Sequence, residues 1–156
     1  TEHALVDAYG ALTEGDFERS LVMILSGRAA EEVLLGDVSA GAVSDLAEAT
    51  RCAAAMEASW GFSADFPLLS LAPAQDIDLA RMPWLMRPVL ERLRLAYERA
   101  CDLMRTERLA LERIAEALFR TAYLDDAAIR ALFSGKAASP RRRAGPGRGA
   151  HRTHDI

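Results

Sequence analysis

From Phe17 to Phe133 apolar residues recur every three or four positions with few breaks, a period that places them along one side of an α-helix. Thr13 stands where a helix cap would, with Glu14 and Asp16 in the first turn. The buried face then reads Phe17, Leu21, Ile24, Leu25, Ala29, Ala30, Val33 and Leu34 before Gly36 ends it. The small, polar run Asp37 to Ser44 is a loop. A second helix is expected from Asp45 to about Trp60, stopped by Gly61, with the stripe Leu46, Ala49, Ala53, Met56 and Trp60.

Residues 62–82 carry Pro67 and Pro73 and suit a short strand or a turn equally. A long helix is expected next, from about Pro88 to Arg105, with Val89, Leu93, Ala96, Tyr97, Ala100 and Met104 inward. Thr106 is expected to cap a helix over Glu107 to Thr121, burying Leu111, Ile114, Ala115, Leu118 and Phe119. Asp125 caps a last one from Asp126 to Phe133, which presents Ile129, Leu132 and Phe133. The expected fold class is mainly α, with about five helices and one irregular crossing or short strand.

With 51% apolar residues in 156, one domain with a buried core is within reach. Charge sets the C-terminal end apart from it. Residues 136–156 hold Lys136 and five arginines against Asp155, so that end carries +5 and the rest of the chain −9. The expected organisation is a helical domain over 1–134 and a basic, disordered tail over 135–156, rich in Gly, Pro and Arg. The tail has no aromatic residue to stack a base, and the acidic body repels phosphate, which argues against a nucleic-acid partner.

Leu21 to Leu25, the longest apolar stretch, is far shorter than the ~20 residues of a membrane span, so nothing in this sequence is expected to cross or enter a membrane. Cys52 and Cys101 lie in apolar helical patterns without CxxC spacing and read as reduced core residues. There is no phosphate-cradling glycine loop, no GxSxG elbow and no HExxH pair. The three histidines, His3, His151 and His154, make a poor zinc set.

One constellation remains. Gly27-Arg28-Ala29-Ala30-Glu31-Glu32-Val33-Leu34-Leu35-Gly36 closes a helix, and Val38-Ser39-Ala40-Gly41-Ala42-Val43-Ser44-Asp45-Leu46 turns into the next. Asp45, near the first turn, reads by itself as a helix cap, and Glu31 and Glu32 as a solvated face with a partner in Arg28.

This block, together with Trp60-Gly61-Phe62-Ser63 further along, resembles the peptidase domain of the FtsH-type membrane-anchored AAA+ zinc metalloproteases. The family's pattern is roughly GGRxAEE, then S/T-T-G-A-x-N-D-L/I, then WGFS or YGMS. Leu95-Ala96-Tyr97-Glu98-Arg99-Ala100, Ile114 to Leu118 and Leu124-Asp125 are similar to the family's closing helices, so the resemblance covers about residues 13–134. It implies an FtsH peptidase-domain-like fold. It also implies that Asp45 is the third zinc ligand beside the two histidines of an HExxH helix, and that Glu31 orients a ligating histidine.

The resemblance further implies a parent protein that uses zinc and ATP, cuts unfolded or membrane protein substrates, assembles as a homo-hexamer, and holds this domain in the cytoplasm beneath a bacterial inner membrane. The HExxH helix and ATPase module lie outside this sequence, so no catalytic residue is expected in it and the chain alone is expected to hydrolyse nothing. Ser26, Ala40 and Ser44 replace the family's usual Gly, Thr and Asn. The rival expectation is a non-catalytic helical oligomerisation module of degenerate peptidase fold.

Overall fold

The computed structural model describes residues 12–134; the expected basic tail and all three histidines fall outside them. Five α-helices are found among the described residues: α1 (Glu14–Leu35), α2 (Val43–Ala58), α3 (Met86–Thr106), α4 (Arg108–Thr121) and α5 (Asp126–Phe133). The described residues contain no strand, so the crossing between α2 and α3 is irregular chain with 3-10 turns at Ala74–Asp76 and Pro83–Leu85. No helix among them is long and apolar enough to cross a membrane.

The described residues divide into two compact units, the first ending at Glu112 and the second beginning at Arg113, with the division falling inside α4. The first is built on α1, which packs along α3, with α2 against both. Phe17, Leu21 and Leu25 of α1 meet Ala49, Ala53, Ala54, Met56 and Ala58 of α2, and Leu85, Val89 and Ala96 from the approach to α3 to its middle. A second cluster joins Ala29 to Ala100 and Cys101. Alanine at so many contact points lets the helix axes approach closely. It also buries little area per residue, so each large side chain matters more. Phe17 carries much of this burden, stacking on Trp60 at 4.3 Å between ring centroids and lying tilted against Phe62 at 5.9 Å. Both cysteines are free thiols, Cys101 buried and Cys52 half-buried, and burial pushes both upward in pKa.

The helix ends obey local chemistry. At the head of α1 the Asp16 carboxylate accepts from the Thr13 amide at 2.8 Å and the Thr13 hydroxyl at 2.6 Å. These bonds, with one from Arg19, hold Asp16 down to about 2. Gly36 ends α1 in the left-handed region at φ 74°. Gly61 does the same after α2 at φ 73°, where a Cβ would also stand 3.1 Å from the Pro67 carbonyl oxygen.

Three expectations about the helices of the first unit are corrected. α2 begins at Val43, two residues before Asp45, because a 3-10 turn over Ala40–Ala42 leads into it. Leu46 is 39% exposed, while Ala54, Ala55 and Ala58 join the buried set, so the second half of α2 is enclosed on more than one side. Thr106 caps nothing: it is the last residue of α3, and its hydroxyl donates to the Asp102 carbonyl at 2.9 Å. Only Glu107 separates α3 from α4, too little chain for a cap with its own extended backbone.

In the second unit, Asp125 caps α5 as expected, accepting from the Ala128 amide at 2.8 Å. Phe119 is 93% exposed, and Ala115 and Leu118 are exposed as well. Helical spacing identifies an apolar face without supplying anything for it to pack on. After α4 the chain bends at Ala122, which holds φ 55° without being glycine.

Between the helices of the first unit lies a charged node. Arg92 of α3 bonds Glu57 at the end of α2 and the Phe62 carbonyl, and pairs with Glu14 at the head of α1 at 2.8 Å. The side chains of Arg92 and Glu57 are 15% and 5% exposed. Burial by itself would lower the guanidinium's pKa, and the bonds to Glu57 and Glu14 outweigh it. Replacing Arg92 by Met strands the Glu57 carboxylate in the interior and is expected to destabilise the chain by about 3–5 kcal/mol, with Glu57→Leu in the same chain restoring half or more. Urea denaturation of the two variants checks this; equal losses in the single and double variants would contradict it. Ala122→Gly relieves left-handed strain of about 1–2 kcal/mol against a glycine entropy cost of roughly 0.5–1, so a gain near 0.5–1 kcal/mol is expected in the same assay.

Candidate functional site

The block singled out in the sequence folds into the joint between α1 and α2, and every bond in it has a local cause. Glu31 lies on the last turns of α1 and reaches across to the loop. Its carboxylate accepts from the Ser39 amide at 2.8 Å and from the Ser39 hydroxyl at 3.0 Å. The same Ser39 oxygen accepts from the Gly41 amide at 3.1 Å, which makes Ser39 the N-cap of the 3-10 turn Ala40–Ala42. That turn runs directly into α2, with Ala42 buried beneath it.

Asp45 is the third residue of α2. The cap position belongs to Ala42, which offers no side-chain bond, so the reading of Asp45 as a cap is not what the fold uses it for. Among the described residues its carboxylate joins no ion pair and accepts one long bond, from the Ser44 hydroxyl at 3.4 Å. Across from it stands Gly27 of α1: a Cβ placed there would lie 3.9 Å from Asp45 Oδ2. The absence of a side chain at Gly27 leaves room around the carboxylate. Met23, one turn earlier on α1, and Val43 and Leu46 beside Asp45 are all exposed.

Glu32 is committed elsewhere. The Tyr97 hydroxyl of α3 donates to it at 2.5 Å, so the second glutamate ties α1 to α3. Burial, then the bond to Glu32, raise the Tyr97 phenol above its ordinary range. Reading the sequence missed both Ser39 and Tyr97 as partners of this acidic pair. The serine eight residues after Glu31, heading a small-residue turn, was a signal for the first; nothing local signalled the second.

The donor chemistry fits a metal at one corner only. A carboxylate oxygen that is accessible and unpaired suits zinc, yet the described residues contain no group of three or more His, Cys, Asp or Glu placed to hold an ion. No histidine lies between positions 12 and 134. The site as built by this chain is one ligand and its supports.

The bonds from Ser39, backbone first and hydroxyl second, hold Glu31 below the ordinary glutamate range. A carboxyl whose folded pKa is depressed contributes order that is complete above the unfolded value and is lost as pH falls through the folded one. The loop is therefore expected to stay closed down to a pH below the ordinary glutamate range and to open beneath that. Carbon-detected titration of the Glu31 carboxyl alongside the Ser39 amide checks this, and a Glu31 midpoint at or above the ordinary range would refute it.

Comparison with known proteins matches residues 7–132 to the model of peptidase family M41. The ATP-dependent zinc metalloprotease FtsH 1 of Symbiobacterium thermophilum is 38% identical over 134 residues, covering 84% of this chain and 20% of that protein. An ATP-dependent zinc metalloprotease FtsH of Thermobaculum terrenum is 34% identical over 133 residues, 77% of this chain and 21% of its own length. The mitochondrial FTSH 3 of Arabidopsis thaliana is 36% identical over 103 residues, 62% of this chain and 13% of its own. The chain spans about a fifth or less of the length of these curated relatives. With the match running from before α1 almost to the end of α5, and with the helical fold in agreement, the chain belongs to peptidase family M41, the family of the FtsH-type zinc metalloproteases.

Proposed function

We propose that this chain is the helical C-terminal part of a zinc metallopeptidase domain and that Asp45 is the third protein ligand of its zinc. The observation that supports this best is the state of the Asp45 carboxylate. It sits at the head of α2 with no capping role, no ion pair among the described residues and a glycine opposite, which is how a ligand waits for a cation. The exposed apolar residues Met23, Val43 and Leu46 around it suit cover by another helix, the one that would bring the two histidines.

Zinc, when bound by the complete set, supplies an activated water and polarises the scissile carbonyl. The part of this chain is to hold one anionic oxygen at a fixed point, and it does not itself complete the reaction. On the same reading residues 1–134 are the peptidase part and 135–156 a basic extension. The whole protein would be an ATP-dependent protease of protein substrates, assembled as a homo-oligomer, with this domain on the cytoplasmic side of a bacterial inner membrane. ATP dependence and proteolysis come with the names of the relatives, assembly and location with the resemblance alone, and all apply to this chain as proposals.

The test is zinc content, by mass spectrometry of metals, on a polypeptide extended with the sequence encoded upstream, beside the same polypeptide carrying Asp45→Ala. One zinc per chain that falls to a small fraction in the variant is the expected outcome. Full zinc in the variant, or an upstream sequence without a histidine pair, would overturn the assignment. Casein cleavage by the 156-residue chain alone would overturn the claim that it is inactive by itself.

A further inference from the structure

We propose that Glu31 and Ser39 are positioning residues for Asp45: a clamp between α1 and the loop that sets where α2 begins and so where its carboxylate points. The inference rests on the reading of Asp45 as a zinc ligand and assigns Glu31 a different task from orienting a histidine.

The argument starts from what else could fix the head of α2. Burial does not do it. The core grips α2 from Ala49 onward, while Val43 is 70% exposed and Leu46 39%, leaving Ala42 as the one apolar anchor before Ala49. Capping does not do it either, since α2 has no side-chain cap bond. What remains is the pair of bonds from Ser39 to Glu31 and the bond from Gly41 back to Ser39.

These bonds act at the right place. Glu31 lies four residues after Gly27, so the two share one face of α1, a turn apart. On that face Gly27 stands opposite the Asp45 carboxylate and Glu31 holds Ser39, six residues before Asp45. The loop is thus referred to α1 at its start, and the helix head is laid over the same face at its end. Hydrogen bonds are directional where apolar burial is not, and two of them converging on one serine fix both its position and its orientation. If the clamp opens, Ser39 is no longer tied to α1, and the 3-10 turn that it caps is free to move with it. The first turn of α2 is then free to shift by a residue, which rotates a side chain by about 100° around the helix axis.

The test has two arms. In the 156-residue chain, hydrogen exchange of the Ser39 and Gly41 amides is measured for the wild type and for Glu31→Ala, Ser39→Ala and Ser39→Thr. Exchange at both amides is expected to rise at least about tenfold in Glu31→Ala, with Ala53 to Met56 unchanged. Ser39→Ala keeps the backbone bond to Glu31 but removes the acceptor of the Gly41 amide, so its Ser39 amide is expected to fall between wild type and Glu31→Ala and its Gly41 amide to exchange at least as fast as in Glu31→Ala, while Ser39→Thr is expected to match the wild type.

In the extended polypeptide, zinc affinity is measured by chelator competition. A loss of about 10–100-fold is expected for Glu31→Ala at an unchanged zinc stoichiometry under saturating metal, with Ser39→Thr again like the wild type. Unchanged exchange in Glu31→Ala overturns the clamp. Changed exchange with unaltered zinc affinity overturns its role in positioning Asp45. Should Asp45→Ala keep its zinc, the reading of Asp45 falls, and the exchange arm still reports on the clamp by itself.

Discussion

A single guanidinium joins the three helices of the first unit. Arg92 takes Glu57 from the end of α2, Glu14 from the head of α1 and the carbonyl of Phe62 from the chain leaving α2. An arginine suits this because its planar fork presents five donors in fixed directions, where an ammonium would offer a point charge. The geometry has a cost, since taking Glu57 to 5% exposure removes most of its hydration. What makes the arrangement tolerable is complete pairing: no buried side-chain nitrogen or oxygen among the described residues lacks a partner. A core rich in alanine gains from such a node, because small side chains give close approach without much directional preference.

The node and the candidate site are connected through α1. Glu14 at its first residue is held by Arg92, and Gly27 and Glu31 near its other end face the α1–α2 joint. At 1.5 Å per residue, about 25 Å of rigid helix separates Glu14 from Glu31. α3 secures the span near both ends, through the Arg99 to Glu18 pair at 2.8 Å and the Tyr97 to Glu32 bond. A reference surface for the loop is therefore already fixed before the loop closes on it.

Much of this is legible in the sequence, for identifiable reasons. Five helices, the stops at Gly36 and Gly61 and the Asp125 cap are local properties, written in apolar period and in residues with special backbone or capping chemistry. The misreadings come where a local signal has a tertiary competitor. Thr106 has the composition of a cap, yet α3 runs on through it and uses its hydroxyl inside the helix. Leu46 keeps the period of α2, yet the helix buries its later alanines and leaves its first turn out. The pairing of Arg92 with Glu57 has no sequence signature, since residues 35 apart on two helices share no local pattern. Within the candidate site, Glu31 and Asp45 stand out through a resemblance. The sequence could not show that Ser39 holds Glu31, nor that Asp45 is without a structural duty.

That last distinction decides how the carboxylate is to be understood. Carboxylates at helix heads are common because free amides and the helix dipole favour them, and each then has a partner in the fold. Asp16 and Asp125 are of this kind here: both accept short backbone bonds, and the Thr13 hydroxyl first and its amide second pull Asp16 to about 2. Asp45 stands in a similar position in its helix and has only the 3.4 Å contact from the adjacent serine. Meanwhile the work of starting α2 is done from six residues away, by Ser39 on Glu31. A fold that separates the anchoring of a helix head from the carboxylate it carries leaves that carboxylate's lone pairs available, and availability at a fixed position is what a metal ligand requires.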